Sequence, residues 1–152
     1  MNIDLNLLQF ESSLQWRDQG GERFLFDPIR RQILVKTPEE IVRQLFLCHL
    51  KSICQYPQTY IAVEKELTIN RRKKRFDILV YNSDYQPFIL VECKAPYIKL
   101  SNDTFRQAAQ YNLNLKVDYL VITNGRHTYC CAMNYDTQSY QFLPQLPSYQ
   151  RS

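Results

Sequence analysis

The stretch Phe76–Pro96, FDILVYNSDYQPFILVECKAP, decides how the rest of the chain reads. Two apolar runs, Phe76–Tyr81 and Phe88–Cys93, are rich in Val, Ile, Phe and Tyr, and Asn82–Pro87 between them carries the Asn, Ser, Asp and Pro of a turn. The pattern predicts an antiparallel hairpin centred between Asp84 and Tyr85, so that Tyr81 faces Phe88, Leu79 faces Leu90 and Asp77 faces Glu92. Side chains alternate along a strand, which puts Glu92 and Lys94 on the face of Asp77 and turns Cys93 away. Directly opposed residues have Cβ atoms about 5 Å apart, and two carboxylates there repel unless positive charge lies between them. A divalent cation meets that need. A plainer arrangement also does: Lys94 neutralises one carboxylate and the other reaches water at the strand end. The opposed Asp and the flanking apolar runs, which make unpaired charge costly, favour a site.

The chain has 152 residues, enough for one domain with a real core and too few for two comfortable ones. The sequence predicts a single domain over residues 1–135, with 1–23 as an N-terminal extension and 136–152 as an extended or partly ordered tail. Hydrophobic residues at 45% and charged residues at 22% exclude a disordered chain, and no apolar run approaches a membrane span. The N-terminus lacks the basic start and unbroken apolar core of a signal peptide, so a cytoplasmic protein is expected. Five cysteines without a C-x-x-C pair suggest buried thiols rather than disulfides or zinc, and His49 and His127 read as packing or surface residues. The formal charge of +4 permits an anionic partner without naming one. Three glycines exclude a phosphate-binding P-loop and a dinucleotide fingerprint, hence any nucleotide-driven motor.

Around the hairpin the elements follow in order. A short helix over Leu5–Trp16 and extended segments at Phe24–Asp27 and Gln32–Val35 precede the core. Thr37-Pro-Glu-Glu is a helix start, with Thr37 as N-cap, Pro38 in the first turn and Glu40 at the capping-box position. That helix runs to Ser52 with Ile41, Val42, Leu45, Phe46, His49 and Ile53 as its buried stripe, and Glu39 and Arg43 four apart on another face, where they pair with each other in solvent, the favoured reading, or turn toward a site. Tyr60–Ile69 alternates as a strand. Arg71, Arg72, Lys73, Lys74 and Arg75 then form a connecting turn beside Asp77, read either as a solvated turn or as a phosphate-binding, nucleic-acid-binding run. Ser101–Leu115 reads as a second helix capped by Asn102 or Asp103, with Gln107 and Tyr111 as neighbours on one side. Tyr119–Thr123 and His127–Met133 are strands joined at Asn124-Gly125.

This order of helix, three antiparallel strands, helix and strand resembles the PD-(D/E)xK nuclease core. More specifically, PEEIVRQ, RFDILVY, ILVECKAP, the Gln107/Tyr111 spacing and LVITNG resemble the N-terminal nuclease domain of type I restriction enzyme R subunits, over Phe24 to Met133. The resemblance implies an α/β, restriction-endonuclease-like α-β-β-β-α-β core with a mixed central sheet flanked by helices. It implies Asp77, Glu92 and the Cys93 backbone carbonyl as ligands of Mg²⁺, with Mn²⁺ as a substitute, and Lys94 as the catalytic cation. Gln107 and Tyr111 match auxiliary positions that hold substrate or water. Glu40 lies where related nucleases contribute a further acidic group, although its capping position explains it adequately. The implied activity is Mg²⁺-dependent endonucleolytic cleavage of DNA, with other restriction-modification subunits as partners. The alternative is a non-catalytic DNA-binding or assembly module.

Overall fold

A computed structural model describes residues 2–150 apart from residue 113, and all of these but the side chain of Tyr111. Its centre is a six-stranded sheet of β4 (Ile61–Ile69), β5 (Arg72–Tyr81), β6 (Pro87–Cys93), β7 (Tyr119–Thr123), β8 (Thr128–Asn134) and β9 (Ser139–Phe142), lying side by side in that order. All neighbours are antiparallel except β6 and β7. A parallel pair needs a crossover, and α2 (Asn102–Tyr111) supplies it. A second sheet of β1 (Gln15–Gln19), β2 (Glu22–Asp27) and β3 (Gln32–Leu34) precedes α1 (Pro38–Ser52). The mixed α/β architecture agrees with the sequence.

The large sheet is covered on both faces. On one, α1 and the N-terminal segments bury Leu45, Phe46 and Leu50 against Ile78, Val80, Ile89 and Val91. On the other, Phe105 of α2 joins Phe76, Leu79, Leu90 and Leu120. The hairpin register is as expected at its centre, with Leu79 across from Leu90 and Ile78 across from Val91. Toward the turn it differs: a bulge after Val80 pairs Tyr81 with Pro87 rather than Phe88. The Asn82 side chain accepts the N–H groups of Asp84 and Gln86 and holds a wider turn.

Thr37 caps α1 as expected, its hydroxyl accepting the Glu40 N–H at 3.1 Å. Glu40 does not complete the box, because the Thr37 N–H goes to Val35 and the Glu40 carboxylate points elsewhere. The helix is buried on most sides rather than along one stripe, and Ile53 is exposed. For α2 the cap is Ser101, not Asn102 or Asp103, in a reciprocal box with Thr104, and the helix ends at Tyr111.

Three expectations fail for tertiary reasons. The N-terminal helix is a short 3₁₀ segment, Leu7–Ser13, because Trp16 belongs to β1 and pairs with Leu25 of β2. The basic run is not a turn: Asn70 and Arg71, both at positive φ, make the connection, and Arg72–Arg75 enter β5. The tail is built into the fold, with β9 paired to β8, Leu146 buried and the Tyr149 N–H bound to Cys54. Among the described residues no helix is long and apolar enough to cross a membrane.

Candidate functional site

The strand alternation breaks at Glu64 and Asp77. On β4, Ile61 and Val63 face the α1 side whereas Leu67 and Ile69 face the α2 side; on β5, Ile78 and Val80 face α1 whereas Phe76 and Leu79 face α2. Both strands change face where Glu64 and Asp77 meet, and ladder pairing skips these two. Glu64 has φ 52°, a left-handed conformation unfavourable for a residue with a Cβ. The kink leaves Asp77 between the two layers, within reach of α1 and of β6.

Arg43 of α1 meets it there. Its Nη2 donates to Asp77 Oδ1 at 2.7 Å and lies 3.0 Å from Glu64 and 3.4 Å from Glu39, while Nη1 donates to Glu40 at 2.7 Å. Glu40 also takes two hydrogen bonds from Arg30, which binds the fully buried Asp27. Alternating charges thus run from β2 through α1 to β5. Burial works against the Arg43 cation, but its bond to Asp77 and the charges of Asp77 and Glu40 outweigh that and hold it protonated.

The other oxygen of Asp77 accepts the backbone N–H of Cys93 at 2.9 Å. Asp77 and Glu92 are the residues next beyond the Ile78–Val91 pair, and their carboxyl groups interact. Burial pushes the Glu92 carboxyl up to about 8, the neighbouring Asp77 adds to this, and Lys94 opposes it. Burial likewise raises Glu64, with Arg43 pulling it down and Asp77 pushing it up. Asp77 is therefore the hub of three carboxyl groups. The backbone N–H of Lys94 is bound by Thr123, so the C-terminal ends of the parallel strands β6 and β7 hold the Glu92–Lys94 segment.

Glu92 and Lys94 line a cleft of about 350 Å³ with Arg75, Thr104, Gln107 and Ile122. Of the residues singled out in the sequence, Asp77, Glu92, Lys94, Gln107 and Arg75 gather at this corner, and the Cys93 backbone lies within it. Glu40 is engaged by Arg30, Arg43 and Gln44. Tyr111 ends α2, but its side chain lies outside the described residues. Arg71, Arg72 and Lys73 are exposed near the β4–β5 turn. Sequence reading favours a solvated Arg43–Glu39 pair over an Arg43 turned toward a site and gives Glu64 no role; the structure sets Arg43 against both Asp77 and Glu64. Among the described residues no group of three His, Cys, Asp or Glu side chains is arranged to hold a metal ion.

A mixed six-stranded sheet between helices, with acidic and basic side chains at the open end of β5 and β6, defines a restriction-endonuclease-like domain. The match over residues 38–147 goes further: the chain belongs to the family of the type I restriction enzyme R protein N terminus (HSDR_N). A fragment assigned as an HsdR subunit of a type I restriction enzyme from Vibrio vulnificus YJ016 shares the fold, with a TM-score of 0.53 and 22% identity. The likeness covers 72% of this chain and 23% of that one. No curated protein matches.

Proposed function

We propose that the chain is a Mg²⁺-dependent DNA endonuclease of the PD-(D/E)xK kind, acting in the cytoplasm with other restriction-modification subunits. The observation that carries this reading is the Glu92 carboxyl, buried against Asp77 and held up to about 8, in the cleft that also contains Lys94. Asp77 and Glu92 bring two hard oxygen donors together at this corner. Asp77, Glu92 and the Cys93 carbonyl suit Mg²⁺, which prefers oxygen and keeps several waters, so they would hold it without a third side-chain ligand. When bound, the ion supplies Lewis acidity at the scissile phosphate and makes a water more acidic.

The chain's own groups do the rest. Lys94 sets a cation where negative charge grows on the phosphate during attack, and an interaction that strengthens in the transition state raises the rate of the chemical step. Gln107, on the wall of the same cleft, orients the substrate backbone or the attacking water. Arg43 and the Cys93 N–H fix the rotamer of Asp77, as partners of metal-binding carboxylates do.

A plasmid-nicking assay in Mg²⁺ tests the reading. Wild type should nick, Glu92→Ala should lose activity with metal binding, and Lys94→Ala should lower the turnover rate at least about 100-fold while retaining metal. Equal rates in all three would rule out the endonuclease.

One observation favours a second reading, a non-catalytic DNA-binding or assembly module. Arg43 already neutralises Asp77, so that carboxylate is satisfied without a metal ion. This reading expects salt-sensitive DNA binding with no nicking in either Mg²⁺ or Mn²⁺.

A further inference from the structure

The cleft at Glu92 and Lys94 does not end there. It shares Thr104 and Ile122 with a second cleft of about 380 Å³, walled by Phe105, Tyr129 and Phe142. The second shares Leu100 and Tyr129 with a third, of about 370 Å³, which opens onto Tyr97, Lys99, Arg126 and His127. Shared walls make the three clefts neighbours, in the order Lys94, Phe142, Arg126.

Their chemistry is uneven in an informative way. Cations stand at both ends, Arg75 and Lys94 at one and Lys99 and Arg126 at the other. Glu92 is the one carboxylate among the described lining residues, and it belongs to the reacting centre. The middle is aromatic: Phe105 and Phe142 pack with ring centroids 5.3 Å apart, and Tyr129 forms the wall common to two of the clefts. At the far end the Tyr97 side chain is set in solvent, 78% exposed, so core packing does not account for it.

A row of clefts with cations at its ends, Tyr129 in its walls and an exposed Tyr97 at one end matches one strand of nucleic acid better than two. Lys and Arg attract the phosphates of any nucleic acid, but an aromatic face stacks only on a base that has left its partner. In a duplex the bases are stacked on one another and such rings stay unused.

We propose that this row of clefts binds a single, unpaired DNA strand leading into the Glu92–Lys94 site. Phosphates lie near Lys94, Lys99 and Arg126, and unpaired bases lie against Tyr97 and Tyr129. The inference rests on the endonuclease reading only in where the strand ends. It narrows the substrate class to single-stranded or locally opened DNA.

Fluorescence anisotropy in EDTA tests it, because binding is then measured without cleavage. The probes are a labelled single-stranded oligodeoxynucleotide of about 12 nucleotides, within the range that single-strand sites cover, and a blunt duplex of the same sequence. The single strand should bind at least about tenfold more tightly at matched salt. Tyr97→Ala, at an exposed position that leaves the fold intact, should weaken single-strand binding about fivefold or more, as loss of a stacked base does, and leave duplex binding unchanged. Lys99→Glu with Arg126→Glu should weaken it further. Equal affinity for the two probes, or an unaltered Tyr97→Ala variant, overturns the proposal. An enzyme that nicks plasmid yet prefers duplex retains its endonuclease assignment and loses this one; a chain that binds single strands without nicking does the reverse.

Discussion

The ion network around Arg43 and the basic run Arg71–Arg75 use the same residue types in opposite ways. In the first, a guanidinium 7% exposed touches carboxylates of three elements at 2.7–3.0 Å. In the second, Lys73 and Arg75 are 78% and 63% exposed, and their nearest carboxylates on β4 stand 3.7–3.8 Å away. Water and salt screen the second set but hardly reach the first. The densest charge in the sequence is therefore weakly held, and a lone arginine in a helix carries the electrostatic weight of the site.

The strongest way to break this contrast is to remove Arg43. An Arg43→Ala substitution takes the cation from Asp77 and leaves Glu40 only Arg30 and Glu64 only the exposed Arg75, and breaking a buried pair in this way costs about 3–5 kcal/mol. Urea denaturation should show the loss as a lower midpoint. Arg43→Lys should recover only part of it, since a single ammonium cannot serve carboxylates spread around a planar fork. A loss below about 1 kcal/mol would mean that the network is no tighter than a surface pair.

A smaller effect tests the other side of Asp77. The folded protein holds the Glu92 carboxyl up to about 8 from its ordinary value of 4.5, so between those values the folded state binds a proton that the unfolded chain does not. The stabilisation is fully present below the unfolded value and is lost as pH rises through the folded one. In EDTA, the urea midpoint of the wild type should fall from pH 5.5 to pH 8.5. Glu92→Gln, which keeps an uncharged group of the same shape, should flatten that slope. A wild-type midpoint that rises over this range contradicts the burial of Glu92 against Asp77.

The same contrast explains what the sequence disclosed. Period-two patterning sets the Leu79–Leu90 register, and local capping chemistry sets the Thr37 helix start; both are decided within a few residues. Arg43 and Glu64 escape such reading. Helical spacing alone leaves Arg43 either paired with Glu39 in solvent or turned toward a site, and the packing of α1 on the large sheet decides for Asp77. Alternation along β4 fails at Glu64 because the strand changes face there, a tertiary kink with no periodic signal. Strand β9 has no sequence signal for a similar reason: Ser139–Phe142 is mostly polar, and its pairing to β8 at the sheet edge supplies what its composition does not. The expectation that Asp77, Glu92 and Lys94 lie near one another comes from the hairpin register, which the structure keeps from Ile78–Val91 to Val80–Ile89; the kink at Asp77 that lets it reach both Arg43 and Cys93 has no such signal.

The basic run offers the smallest and most specific test. Its ion pairs on β4 are exposed, so Lys73→Ala should change stability by about 0–1 kcal/mol, a shift in urea midpoint close to measurement scatter. Its function, if the run contacts phosphate, is read instead from salt. Each cation that neutralises a phosphate adds about 0.7 to the slope of log affinity against log salt on single strands and about 0.9 on duplex. Replacing Arg71, Arg72 and Lys73 together with Ala should leave the fold untouched and lower that slope by the share of the three that bind. Arg75 stands apart because it lines the cleft, so Arg75→Ala should lower the slope and slow nicking together. An unchanged slope in the triple variant would return those three residues to solubility alone, and sharpen the contrast with Arg43 to its limit: charges packed in the sequence and idle, against one buried charge on which the corner depends.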